Sequence, residues 1–484
     1  MSFGDIVREA LVVFAWVGLA YFVVFGVINL AFVYIAWRRL VGFRRARSYT
    51  ALDDTFASPF TPGISVLVPA YNEEAGIVSS VRSLLDLRYP RHEVIVVNDG
   101  STDGMLERLR AAFDLVPVRQ AVRTQLATKT VKAAYVSRHH QNLCVLDKEN
   151  GGKSDALNAG ANAASYPYVC AIDADAVLET DALLRVVQPM IDKPEVAVAC
   201  GGIVRIANGC TIEGGSVLDY GLPTNRLAMM QVVEYFRAFL VARIGWDRIN
   251  SLIVISGAFG LFSRSHVEAV GGWAHGTVGE DVELVTRLHG HLRKNGEPFE
   301  VSFVPDPVCW TEAPETISGL ARQRRRWQRG LAETLWRHKH MICNPRYGAL
   351  GMIALPYFVA FELLGVLFEA LGLVISLVVF ILGAFSLVAF VSFLAVSILV
   401  SMLVSAGSVV LEEYVVHRNQ RRNDIARLVL YASLESFGYR QLNAYWRFRG
   451  LIDVSLRKSG WGEQQRRGLE RGAEVPLPRE GEAA

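Results

Sequence analysis

Apolar and polar positions divide this chain into two kinds of territory. From Ala10 to Trp37 no charged residue occurs, and a helix of that length rises about 40 Å, enough to cross a hydrocarbon core of about 30 Å with some tilt. A cleaved signal peptide is the alternative, but its apolar region usually runs only about 7 to 15 residues. Arg38, Arg39, Arg44, Arg45 and Arg47 follow the run, against Arg8 before it. The positive-inside bias therefore sets the N-terminus outside and the next region in the cytoplasm. A second apolar block, 347–410, is too long for one helix and predicts two spans near 356–381 and 387–411. Arg418, Arg421, Arg422 and Arg427 after it return the chain to the cytoplasm. Residues 424–454 then alternate aromatic and arginine side chains (Tyr439, Arg440, Tyr445, Trp446, Arg447, Phe448, Arg449). That is the composition of a helix at a headgroup surface, with a short fourth span as the alternative. The polar tail from Lys458 reads as disordered.

Between these blocks the rhythm changes. Short apolar runs at Ile64–Val68, Val94–Val97, Leu143–Leu146 and Val169–Ile172 predict buried strands. Amphipathic segments separate them, one with Ile77, Val78, Val81, Leu84 and Leu85 after Asn72 as a cap, another with Met105, Leu106 and Leu109 after Ser101 or Thr102. Such alternation predicts an α/β domain with a doubly wound, mostly parallel sheet. The expected organisation is an anchor and basic flank at 1–48, the α/β domain at 60–314 and amphipathic interfacial helices at 315–346. Two transmembrane helices at 347–411, a basic and aromatic interfacial segment at 412–457 and a tail at 458–484 follow. About three membrane helices result.

Composition sharpens this in two ways. The chain is 51% hydrophobic, and 50 Lys+Arg against 47 Asp+Glu leave a charge of +3, which excludes a chain that wraps nucleic acid. Six cysteines form no CxxC pair, so they read as reduced thiols facing the cytosol.

In open α/β sheets ligands bind beyond the carboxyl ends of strands, and here those ends are acidic. The runs lead into Pro69-Ala-Tyr-Asn-Glu73, Asn98-Asp-Gly-Ser-Thr-Asp103, Asp147 with Gly151-Gly-Lys-Ser-Asp155, and Asp173-Ala-Asp175. A lone carboxylate such as Asp103 is usually a turn or cap group. Asp173 and Asp175 differ, because two carboxylates alternating off one strand end repel unless a cation lies between them; Mg²⁺ or Mn²⁺ with substrate phosphates fits. Gly152-Lys153-Ser154 lacks the first glycine of a P-loop, since position 147 is Asp147, and no GxGxxG occurs. The DxD stretch also lacks the later ligands of an EF-hand. A nucleoside diphosphate held through a bridging metal is the candidate ligand.

Taken in order, Pro69–Glu73, Asn98–Gly104, Gly152–Asn158, Asp173-Ala-Asp175, Gly279-Glu-Asp281 and Gln323-Arg-Arg-Arg-Trp327 make the chain resemble membrane-integrated family 2 glycosyltransferases, the cellulose, chitin, hyaluronan and poly-N-acetylglucosamine synthases. The resemblance covers about residues 60–345 and implies a GT-A type fold. It further implies that Ala70, Tyr71, Glu73 and Asp99 hold the uracil and ribose of a UDP-sugar, with Lys153 and Asp173 at the donor. Asp175, helped by Asp173, would coordinate the metal, and Asp281, beside Glu280, would be the catalytic base. Ser256 and Gly257 would touch the acceptor in the stretch Ser256-Gly-Ala-Phe-Gly260. Gln323, Arg326 and Trp327 share a helix face and would contact diphosphate or sugar; an interfacial basic helix is the plainer reading of that segment. Asp281 likewise has a plainer reading as a first-turn aspartate complementing a helix dipole. Glu362 and Glu369, seven residues apart in apolar surroundings, suit a water-filled path or the headgroup layer equally.

Two stretches depart from the resemblance. Residues 103–150 are longer and more basic (Arg119, Arg123, Lys129, Lys132, Arg138, His139, His140) than the corresponding connection. Arg418 and Arg422 have RxxxR spacing, but no cyclic-dinucleotide-binding barrel is expected after them. The expected activity is processive, inverting transfer of sugar, with N-acetylglucosamine the one the resemblance points to, from a UDP-sugar to a glycan extruded across the plasma or inner membrane. Small membrane or export subunits are conceivable partners. A non-processive enzyme glycosylating a lipid acceptor is the alternative, and a silent assembly subunit a third.

Overall fold

Strand β1 (Ile64–Ala70) is buried at every position except Pro69. Helices cover both faces of its sheet, so its apolar run is continuous rather than alternating. The computed structural model describes residues 3–47, 52–119, 123–213, 216–368, 387–416 and 422–456 with Val378 and Ile381. The strands after β1 are β2 (His92–Asn98), β3 (Leu115–Val118), β4 (Val131–Ser137), β5 (Leu143–Lys148), β6 (Tyr168–Ile172), β7 (Val177–Leu178), β8 (Ala197–Ile206), β9 (Thr211–Glu213), β10 (Ser216–Asp219), β11 (Phe259–Ser263) and β12 (Glu300–Thr311). Ten of them form one sheet in the order β3-β4-β5-β2-β1-β6-β11-β8-β12-β7, and β9 and β10 form a small hairpin.

The expected mostly parallel sheet is corrected to a mixed one. Four of its nine pairings are parallel (β5–β2, β2–β1, β1–β6, β8–β12) and five antiparallel. The cause is connection length at one edge: β4 and β5 are joined by 138–142, too short for a crossover. On the other side β11 inserts antiparallel between β6 and β8. The long basic connection 103–150 thus supplies helix 105–113 and the outer strands β3 and β4.

The main helices are α1 (Phe3–Arg47), α2 (Ile77–Leu85), α3 (Met105–Phe113), α4 (Lys153–Ala163), α5 (226–248, with a wider turn at Phe236–Val241), α6 (Glu280–Asn295), α7 (Ile317–Arg337), α8 (Leu387–Val416), α9 (Arg422–Leu434) and α10 (Tyr439–Ser455). Asn72 does not cap α2. It adopts a left-handed backbone, φ 55°, and its Oδ1 accepts from the Thr102 amide at 2.8 Å, which ties the ends of β1 and β2 together.

Two cores flank the sheet. Val66 and Val68 of β1 pack with Val81 of α2 and Leu109 of α3 on one face. On the other, Leu67 and Val97 join Leu157 of α4, Leu288 of α6, and also Phe32 and Ala36 of α1 and Tyr357 and Phe358. The second core is therefore continuous from the sheet into the apolar helices. Among the described residues, two helices are long and apolar enough to cross a membrane, Trp16–Phe43 and Leu350–Phe368. Helix α8 has no charge before Glu412. Much of the expected 356–381 span, Glu369 and the 458–484 tail lie outside the described residues.

Candidate active site

The site grows from the turn that opens α4. Gly152, φ 89°, takes a conformation a side chain would strain, and this brings the Gly151 and Gly152 amides onto Asp99, at 2.9 Å to Oδ1 and 2.7 Å to Oδ2. Lys148 Nζ, fully buried, lies 2.6 Å from Asp99 and 2.5 Å from Asp155. Asp155 also accepts from the Lys129 amide, and Asn158 makes both bonds to the Trp273 backbone. So Asp99, Asp155 and Asn158 brace the turn, and Lys148 is a member that motif reasoning missed.

The braced turn aims Lys153. Its ammonium lies 2.5 Å from Asp173 and 3.1 Å from Glu280, and donates to the Gly257 carbonyl at 3.2 Å. Burial pushes this ammonium down, but the carboxylates of Asp173, Glu280 and Asp281 outweigh it and leave its pKa raised. Burial pushes the Glu280 carboxyl up, against Lys153.

Asp281 stands in the first turn of α6. Its Oδ2 accepts from the Gly257 amide at 2.9 Å and its Oδ1 from the Val282 amide at 2.9 Å. The turn is fixed against α7 by two glycines: a Cβ on Gly330 would come within 2.9 Å of Gly279 Cα. On α7, Arg324 pairs with Glu234 at 2.8 Å and Arg325 with Asp453, so these two arginines anchor α7 to α5 and α10. The Arg324 guanidinium also lies 4.4 Å from the centre of the Trp327 ring, and Gln323, Arg326 and Trp327 line the cavity beside it.

One cavity of about 1660 Å³ collects these side chains: Lys153, Asp173, Asp175, Ser256, Gly257, Glu280, Asp281, Gln323, Arg326 and Trp327 line it. It continues between α1, the 350–368 helix and α8, past Phe22, Gly26, Glu362 and Val400. Ala70, Tyr71, Glu73 and Asp99 do not line it; they lie at the ends of β1 and β2, joined to the cavity through the Gly151–Lys153 turn. Sequence reasoning also missed Arg243 of α5, a buried wall residue. Its signal is a single charge inside the apolar run Ala238–Trp246.

A divalent cation was expected at Asp173 and Asp175. No cluster of three or more His, Cys, Asp or Glu side chains suited to a metal occurs among the described residues. The pair nonetheless fits a hard cation whose remaining ligands come from phosphate and water, since Asp173 already holds a cationic group.

Residues 62–330 match the glycosyltransferase like family 2. Poly-beta-1,6-N-acetyl-D-glucosamine synthases of Staphylococcus epidermidis and Staphylococcus aureus (strain COL) are 30% and 29% identical over 276 residues. These matches cover 57% of this chain and 56% of theirs, so the chain spans about half the length of the relatives it matches. A mannosyltransferase of Pyrobaculum calidifontis superposes with a TM-score of 0.47 at 17% identity, over 90% of this chain and 99% of that one.

Proposed function

The chain belongs to glycosyltransferase like family 2, and from that premise we propose that it is a membrane-bound, inverting UDP-sugar transferase that polymerises N-acetylglucosamine on the cytosolic side and passes the glycan out between its own helices. The observation that carries this reading is the single cavity running from Asp173, Asp175 and Asp281 to the apolar helices. The names of the relatives supply the sugar.

In this reading Asp281 takes the proton of the acceptor hydroxyl as that oxygen attacks the anomeric carbon. The bond from that carbon to the diphosphate breaks, and UDP leaves with its electron pair. Two backbone amides hold the Asp281 carboxylate in place, so its geometry is set before substrate arrives. Asp173 and Asp175 would hold Mg²⁺ or Mn²⁺, which when bound neutralises charge on the diphosphate. Lys153, which pairs with Asp173, and Arg326 on α7, with its forked donors, would supply positive charge to the phosphates from two sides of the cavity. Trp327 offers a flat face to a sugar ring.

Apolar walls at Phe22, Gly26 and Val400 would also admit a lipid tail, which is what favours the lipid-acceptor reading. The test is purified protein with Mg²⁺ or Mn²⁺ and a panel of UDP-sugars, reading UDP release and product size. A long, hexosaminidase-sensitive polymer supports polymerisation, one sugar on extractable lipid supports the alternative, and no turnover with any donor contradicts both.

A further inference from the structure

The last turns of α8 rest on the edge of the sheet that carries the Asp173-Ala-Asp175 turn. Val409 shares a core with Ile206 at the end of β8 and with Ala313 just past β12. Glu412, the first charged residue of α8, forms a buried ion pair with Arg205 of β8. Neither residue lines the cavity, so neither touches a substrate held there. Desolvating two charges offsets most of what their attraction gains, so stability alone does not account for this pair.

A short chain of contacts leads from Arg205 back to the acidic turn. Its guanidinium lies 5.4 Å from the centre of the Trp310 ring, and the two residues are register partners on β8 and β12. Trp310 Nε1 donates to Glu179 Oε1 at 2.8 Å. The Tyr220 hydroxyl donates to the same oxygen at 3.0 Å, and its ring centre lies 5.1 Å from that of Trp310. Glu179 directly follows β7, which pairs with β12 as Val177 with Trp310 and Leu178 with Cys309. The Ala176 amide donates to the Asp173 carbonyl at 3.0 Å, so the turn bearing both aspartates hangs between β6 and β7. With two residues, β7 is shorter than strands usually run, and the side chains that grip it, Trp310 above all, carry much of its placement. Val177 and Trp310 accordingly share a small core with Ala207 and Ile212.

We propose that Glu412 and Arg205 are positioning residues for the divalent ion: the end of α8 holds Arg205 on Trp310, Trp310 holds Glu179, and Glu179 keeps Asp173 and Asp175 at the spacing a cation with substrate phosphates needs. Groups that orient a metal's carboxylates tune its affinity without touching it. This role rests on the transferase reading, in which those two aspartates hold the ion. It makes metal affinity depend on how an apolar helix sits against the sheet, and so ties the donor site to the membrane segment through a route outside the cavity.

The test uses the full-length protein in detergent with UDP and reads Mn²⁺ binding by electron paramagnetic resonance, with metal-free UDP affinity and thermal midpoint measured on the same samples. Trp310→Phe keeps a ring and removes the Nε1 donor, and is expected to weaken Mn²⁺ binding roughly 2- to 30-fold. Glu412→Gln alone would orphan a buried cation, so the pair is replaced whole. Arg205→Met with Glu412→Leu is expected to keep the thermal midpoint and the metal-free UDP affinity while weakening Mn²⁺ binding by a similar factor. Arg205→Lys, which keeps the charge but loses the flat fork over Trp310, is expected to show part of that loss. All three changes together, Trp310→Phe with the replaced pair, are expected to weaken Mn²⁺ binding no further than Trp310→Phe alone, because they act through one contact. Wild-type Mn²⁺ affinity in the Arg205→Met, Glu412→Leu variant overturns the positioning role and leaves the transferase reading standing, as does a loss that adds in full to that of Trp310→Phe. Wild type that binds no Mn²⁺ beside UDP overturns both.

Discussion

The Gly257 amide donates to Asp281 Oδ2 at 2.9 Å, while the carbonyl of the same glycine accepts from Lys153. One residue without a side chain thus sits between the group assigned to the proton and the group assigned to the diphosphate. A Cβ there would lie 3.0 Å from Lys153 Nζ and 3.4 Å from Asp281 Oδ2. Gly257→Val is expected to cut kcat by about 100-fold, roughly 2.7 kcal/mol of barrier, with UDP affinity changed far less. Steady-state kinetics beside UDP calorimetry check this.

Gly330 and Gly279 meet backbone to backbone, and nothing flexible can yield to a methyl group on either. Gly330→Ala forces α6 and α7 apart and is expected to cost about 1–3 kcal/mol of stability. Because the same contact holds Asp281 and Trp327 on one cavity, transfer falls along with the thermal midpoint. Thermal scans and UDP release on the same sample measure the two together.

Lys148 is the sole cation that an ion pair shows on Asp99 among the described residues, and it also reaches Asp155. Lys148→Met strips a positive charge from two buried carboxylates and is expected to destabilise the protein by about 3–5 kcal/mol. The double variant with Asp99→Asn is expected to recover part of that loss, since one orphaned charge is removed. A double-mutant cycle in denaturant melts reads the coupling.

Stability should fall in acid through Glu283. Burial pushes this carboxyl up, but hydrogen bonds from His338 and Arg287 outweigh it and hold it at about 2, against an ordinary 4.5. Below about pH 4.5 the unfolded chain gains a proton that the folded chain refuses. Stability present above that pH is lost as pH falls toward 2, about 3 kcal/mol in all. In melts from pH 7 to pH 3, Glu283→Gln is expected to start less stable than wild type and to approach it as the pH drops.

Much of this architecture is legible in the residues, for physical reasons. The central strands read correctly because burial on both faces leaves uninterrupted apolar runs such as Val94–Val97. Helix α4 carries no such signal: nearly every residue of Lys153–Ala163 is buried, so it has no polar face to set a period. Strand direction was misjudged because antiparallel insertion of β11 depends on contacts remote in sequence. Local pattern also made Asn72 a cap, whereas its side chain serves a neighbouring loop 30 residues away. Of the expected site residues, those from Lys153 to Trp327 share one cavity, and those at the end of β1 do not. Arg243 escaped notice because its neighbours read as core, and only the cavity beside it reveals what it faces.

The most direct measurement is transfer by Asp281→Asn in purified protein supplied with UDP-N-acetylglucosamine and Mn²⁺. The account predicts wild-type affinity for UDP and less than about 1% of wild-type UDP release, the loss expected when a positioned base is removed. Turnover at the wild-type rate would contradict it.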